Sequence, residues 1–333
     1  MTGRSLRTFA LFSALAVIVA SGAFFWLRAR VALNRSLPRA ETNVVVPTGA
    51  TGHEVAALLA KDGVIASPLT FELLARYRGE QSALRAGEFR FAPHQTQNEI
   101  LRQLVEGGGQ TALWITIPEG FTAKQIAATL AAHRLGAAAD YERRFMHGSL
   151  TLGGTRTPSL EGYLFPDTYL VAIDADPAAV VKRFTDQFAT ELPSGAAARA
   201  KALGLTLPEV VTLASLVERE AKADDERPLI AGVYYNRLHR GMPLEVDASI
   251  EYAFPQHKAV ITYADLAIDS PYNTYKHTGL PPTPIANPGL PSLRAALYPK
   301  TSDYLYYVYM GNGHHAFSRT LAEHNANVAR YLR

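Results

Sequence analysis

Thr206 to Ala221, TLPEVVTLASLVEREA, is apolar nearly all the way round when wound as a helix, yet it carries two carboxylates near its end, Glu218 and Glu220. A helix with no polar face to show to water belongs inside the fold, with other elements packed around it. Thr206 and Glu209 have the spacing of a capping box, and Pro208 is tolerated in a first turn, so the helix is predicted to start at Thr206. A buried acid is costly unless it is paired or protonated. At about 100° per residue, Glu218 lies on the side of Val211, Ala214 and Ala221, and Glu220 lies opposite with Leu213, Leu216 and Val217. Periodicity does not choose between them. A plain ion pair, for example Glu218 with Lys222 at i, i+4, competes with a functional role.

The rest of the chain must supply what covers that helix. Its 333 residues, 48% of them hydrophobic, are enough for a large core and for more than one domain. Cysteine is absent, which excludes disulfides, thiolate metal sites and a cysteine nucleophile. Thr8 to Leu27 has no charge and is just long enough to span a bilayer as a helix. A cleaved signal peptide with small residues at Ala20 to Ala23 is the rival reading. The run continues through Phe24-Phe25-Trp26-Leu27 to an interfacial aromatic, which favours an anchor. Arg4 and Arg7 precede the span, while Arg28, Arg30, Arg35 and Arg39 follow it. Flank charge alone would therefore put the C-terminal side in the cytoplasm, a rule that large domains escape. Residues 1–40 hold six of the 33 basic residues and no acid, leaving 27 basic against 30 acidic beyond them. The folded part is slightly acidic, which argues against nucleic acid as its partner.

An internal repeat follows. Pro47 to Ala60 (PTGATGHEVAALLA) aligns without gaps to Pro118 to Ala131 (PEGFTAKQIAATLA), with seven of fourteen positions identical. Each copy follows a short β-branched run and opens a helix with a capping box, Thr51 with Glu54 and Thr122 with Gln125. Two copies are too few for a solenoid and suggest one small α/β module. Leu84 to Phe91 reads as a strand and Thr96 to Glu106 as a helix. The Gly- and Thr-rich segment after Gly148 reads as a boundary.

Beyond it, three blocks carry more polar and aromatic groups than packing needs: residues 160–169, 270–289 and 311–325. The middle one has five prolines and two glycines in twenty residues and cannot be regular structure. Its Tyr272, Asn273, Tyr275 and Asn287 offer aromatic faces and amides suited to sugar rings and acetamido groups, although a proline-stiffened surface loop fits as well. The tyrosines of YLYYVYM (304–310) fall on both faces of a strand, as in a half-buried sheet. His314-His315 lacks any metal-ligand spacing, and neither a G-x-S-x-G elbow nor a P-loop is present.

In this order, LEGYLFPDTY (160–169), ASLVEREAKADDERPLIAGVYYNRL (214–238), GMPLEVDASIEY (241–252), SPYNTYKHTGLPPTPIANPG (270–289) and YLYYVYMGNGHHAFSRTLAEHN (304–325) resemble the endolytic murein transglycosylase family, also called YceG-like. The resemblance implies an α+β chain: an N-terminal transmembrane helix, a LysM-like α/β module, and a mixed α/β catalytic domain with a central acid-bearing helix. The expected divisions are a cytoplasmic stub at 1–7, an anchor at 8–27, a linker at 28–43, the LysM-like module with the repeat at 44–148, and the catalytic domain at 149–333. The family's acid is the first glutamate of A-S-[IL]-V-E-[KR]-E, which here is Glu218. Glu161, Tyr163, Asn236, Asp247 and His315 join Tyr272, Asn273, Tyr275 and Asn287 as candidates to bind or position substrate. No cofactor or metal is implied. The implied activity is cleavage of the MurNAc-β-1,4-GlcNAc bond within nascent peptidoglycan strands, leaving 1,6-anhydro-MurNAc ends and terminating elongation. Its setting would be the periplasmic side of the bacterial inner membrane, with the anchor in the bilayer and elongation synthases as partners. Two other readings stand beside it: a non-catalytic envelope glycan-binding scaffold, and a hydrolytic muramidase pairing Glu218 with an acid such as Asp247.

Overall fold

A computed structural model describes residues 21–22, 40–107, 112–254, 258 and 261–332. The anchor expected at 8–27 lies outside the described residues apart from Ser21 and Gly22, as does most of the linker. Among the described residues no single helix is long and apolar enough to cross a membrane. The chain is mixed α and β, with small two-stranded sheets. It divides into two compact units, residues 1–113 with 170–174, and residues 114–169 with 175–333.

In the first unit β1 (Thr42–Val46) and β2 (Gly87–Phe91) pair antiparallel, Thr42 opposite Phe91 and Val46 opposite Gly87. Alternation sends Val44, Val46, Phe89 and Phe91 to one face. That face is covered by α1 (Gly52–Lys61), α2 (Pro68–Tyr77) and α3 (Gln97–Glu106), which bury Val55, Leu59, Phe71, Ile100 and Leu104. The strand and helix expected at 84–91 and 96–106 are these β2 and α3.

The repeat is structural. In the first copy, Thr51 caps α1 with the full capping box to Glu54. In the second, Thr122 does the same with Gln125 for α4 (Ala123–Ala132). Gly49 and Gly120 turn each chain into its helix at φ +79 and +76. Both helices also end alike, with Val64 N–H bonding Leu59 O and Leu135 N–H bonding Leu130 O. The two copies do not share a unit, however. α4 packs on α5 (Ala138–His147), and Gly120 N–H donates to Asn287 O while Asn287 N–H donates to Phe121 O, tying the second copy to distant parts of the second unit. The division therefore falls at 113/114 and not at the expected 148/149. β3 (Ala112–Thr116) and β6 (Thr168–Ala172) form a further two-stranded sheet.

The second unit is built on α8 (Leu207–Glu220), the helix anticipated from Thr206, with its capping box to Glu209 in place. Val210, Val211, Leu213, Ala214, Leu216 and Val217 are all fully enclosed. Around it lie α9 (Arg227–His239) and α11 (Leu290–Leu297), together with the shorter α7 (Ala196–Ala202) and α10 (Asp247–Ala253). α6 (Pro177–Glu191) adds Phe188, edge-on to Tyr163. Two hairpins complete the unit. The first is β4 (Thr151–Leu152) with β5 (Thr155–Arg156); the second is β7 (Tyr306–Tyr309) with β8 (His315–Ser318), followed by α12 (Leu321–Tyr331). β7 is the half-buried tyrosine strand expected at 304–310.

Candidate active site

Glu218 stands in the last turn of α8 with only 5% of its side chain exposed. Its burial is compensated on both oxygens. Arg227 Nη1 donates to Oε1 at 3.1 Å, and the Gly289 N–H donates to Oε2 at 3.0 Å. Arg227 opens α9 and is itself nearly enclosed; it also donates from Nη1 to Ser292 Oγ at 2.5 Å and from Nε to Asp224 Oδ1 at 3.0 Å. Gly289 is the N-cap of α11, so the carboxylate satisfies a backbone N–H at a helix start, where the dipole favours negative charge. The pairing is with Arg227 and not with Lys222. A charge pair this buried is strongly coupled: removing one partner typically costs about 3–5 kcal/mol.

A second carboxylate arrives from the repeat. Glu119 precedes Gly120, whose α-carbon approaches Glu218 so closely that an added Cβ would stand 3.6 Å from Glu218 Cγ. The residue is exposed as a whole, but its carboxyl end rests on Gly289. A Cβ on Gly289 would fall 1.9 Å from Glu119 Oε1, so only glycine leaves the acid its place. Partial burial, and then the charge of Glu218, push the Glu119 carboxyl up, while Arg227 opposes the shift. Sequence reasoning missed Glu119. The one available signal was the repeat itself, in which the first copy carries Thr48 at the equivalent position.

Glu161 is buried beside this pair of segments. Ala123 N–H, the first of α4, donates to both its oxygens at 2.9 and 3.0 Å; Asn287 Nδ2 donates at 2.9 Å and Tyr252 Oη at 3.1 Å. Burial outweighs these donors and pushes the carboxyl up to about 7. Asn287 binds two segments at once: Oδ1 accepts from Gly162 and Leu164 N–H, and Nδ2 also donates to Phe121 O. A cavity of about 610 Å³ opens here, lined by Thr122, Glu161, Arg219, Tyr252 and Ile285 among others. Its Arg219 adjoins Glu218 in sequence and pairs with Glu251 at 2.9 Å.

The other expected substrate contacts are mostly spent inside the protein. Asn273 is fully buried, donating to Leu266 O and Ile268 O and accepting from Tyr275 N–H. Asn236 donates to the carbonyls of Ser302 and Tyr304. His315 gives both its backbone N–H and its ring Nδ1 to Glu226, each at 2.8 Å. Tyr163 is enclosed beside Phe188 and borders a proline-lined hollow of about 410 Å³. Tyr272 bonds Thr283 and packs its ring on Tyr252 at 5.0 Å. Amide and aromatic groups that suit a sugar suit backbone carbonyls and apolar rings equally, and here the fold takes them. Asp247 is exposed and accepts from Tyr275 Oη at 2.6 Å. It belongs with Glu220, which accepts from Tyr307 Oη at 3.1 Å and is pushed up by desolvation and by the Asp247 charge. The two glutamates of α8 thus serve separate clusters. No group of three or more His, Asp or Glu residues among those described is arranged to hold a metal ion.

A family model described as YceG-like matches residues 44–330. An endolytic murein transglycosylase of Bacillus subtilis (strain 168) is 33% identical over 338 residues, covering 95% of this chain and 91% of that protein. An endolytic murein transglycosylase of Streptococcus pneumoniae serotype 2 is 32% identical over 330 residues, 87% of this chain and 58% of that longer protein. A crystal structure described as a yceG-like protein of Listeria monocytogenes superposes with a TM-score of 0.61 at 31% identity, covering 86% of this chain and 99% of the other.

Proposed function

Because the chain belongs to the YceG-like family, we propose that it is a peptidoglycan lytic transglycosylase that cuts within glycan strands, with Glu218 as its acid. The observation that carries this reading is the placement of Glu218. The glutamate at the family's motif position ends the central apolar helix and is held on both oxygens. Arg227 occupies Oε1, which leaves Oε2 to carry the proton once substrate displaces the Gly289 contact.

The proton passes from Glu218 to the oxygen linking N-acetylmuramic acid to N-acetylglucosamine as the bond from C1 breaks and oxocarbenium character develops. The muramyl 6-hydroxyl then attacks C1, its proton returns to Glu218, and the strand is left with a 1,6-anhydro end. No water is consumed and the acid is regenerated. Positioned acid–base catalysis of this kind contributes about 10²–10⁴-fold. Asp247, the second acid of the hydrolytic alternative, bonds Tyr275 and not the partners of Glu218, which favours the transglycosylase.

The order β1–α1–α2–β2 in the first unit supports a LysM-like glycan-binding module. We assign residues 8–27 as a single-pass inner-membrane anchor, the folded units to the periplasm, and the elongation synthases as partners whose nascent strands are trimmed. The test is mass spectrometry of uncrosslinked glycan strands incubated with residues 41–333 and with the Glu218→Gln variant. Internal cuts ending in 1,6-anhydromuramic acid, reduced by at least about 100-fold in the variant, are expected. Reducing ends would make it a hydrolase, and undiminished cutting by the variant would remove Glu218 from the mechanism.

A further inference from the structure

Gly289 is where two acids meet. Its N–H holds Glu218 Oε2, and its bare α-carbon is the seat of the Glu119 carboxyl. A single guanidinium, Arg227, faces both, with Asp224 as a further anion on its outer side. Asp224 is 80% exposed and well screened, so the enclosed part of the cluster is in effect two carboxyls and one cation. Two carboxyls crowded into one partly desolvated site repel each other, and the charge on one bears on the proton affinity of its neighbour.

We propose that Glu119 is a positioning residue for the reaction: seated on the α-carbon of Gly289, whose N–H holds Glu218, its carboxyl places a second negative charge beside the acid and its Arg227 partner. This rests on the reading of Glu218 as the acid. The two groups sense each other: partial burial, and then the Glu218 charge with a smaller push from Asp224, raise the Glu119 carboxyl, while Arg227 pulls it down. The repeat explains how the residue came to be there. The same Pro-x-Gly turn that carries Thr48 in the first unit, bonded to Asp174 at 2.6 Å, presents an acid in the second.

The experiment is the pH–rate profile of strand cleavage for the wild type, Glu119→Gln, Gly289→Ala and Glu218→Gln, with carbon-13 titration of the side-chain carboxyls in each. Glu119→Gln removes a negative charge beside Glu218, so the alkaline limb of kcat/KM is expected to move about half a unit or more to lower pH. Gly289→Ala keeps the N–H and the charge but evicts the Glu119 carboxyl, and should move the limb the same way. A structural Glu119 would lower kcat at every pH without moving the limb, and that result, or an unmoved carboxyl titration, overturns the proposal. Full activity in Glu218→Gln would bring down the acid assignment itself, and the proposal with it. A limb displaced in Glu119→Gln beside an inactive Glu218→Gln upholds both.

Discussion

Glu161 is a side chain whose charge is at odds with its surroundings. Burial pushes its carboxyl up to about 7, against an ordinary value of 4.5. Between those values the native state holds a proton that the unfolded chain has released, so the contribution is full at low pH and is lost as pH rises through about 7. The span is on the order of 3 kcal/mol. Urea denaturation at pH 5 and pH 8 is expected to show stability falling with pH. Glu161→Gln should flatten that difference at a lower overall stability, because an amide nitrogen can be turned against the Ala123 N–H. A native state that gained stability over this range would show that Glu161 stays ionised. The sequence offered Glu161 as a polar residue in a motif block, and so it is, but its partners lie 38 and 126 residues away. That distance is why Asn236, Asn287 and His315 read as sugar contacts: an amide or imidazole carries no local sign of which distant carbonyl or carboxylate will claim it.

Helices and their ends were far more legible, because caps and apolar spacing are local. The boxes read at Thr51, Thr122 and Thr206 all form, and the structure adds a fourth at Thr96. The two repeat copies even allow one to correct the other. Where the first ends its helix with Gly63 at φ +73, the second uses Arg134 at φ +58. Left-handed backbone costs a residue with a Cβ about 1 kcal/mol or more. Arg134→Gly is therefore expected to raise stability by about that amount, and Gly63→Arg to lower it similarly. Thermal melts of the two variants would decide; a loss on Arg134→Gly would mean that the arginine's side-chain contacts outweigh its backbone strain.

At the scale of the whole molecule, the two related copies read as one small module, and the Gly- and Thr-rich segment after Gly148 read as its end; in the structure the copies fall in different units, because burial decides which unit a segment joins. The second copy supplies Glu119, Gly120, Phe121 and the α4 start that Glu161 caps. A fragment of residues 149–333 is thus expected to lack a cooperative thermal transition, and one of residues 112–333 to show it by circular dichroism; a sharp melt from the shorter piece would restore the original boundary. The acid of α8 also has a place in time. During synthesis Glu218 leaves the ribosome some seventy residues ahead of Gly289, which is 71 positions further along. Until that glycine docks, the proposed proton donor is a glutamate on an unfinished helix cluster, without its second partner. The site comes into being only as the last fifth of the chain is made, so an unfinished chain has nothing with which to cut.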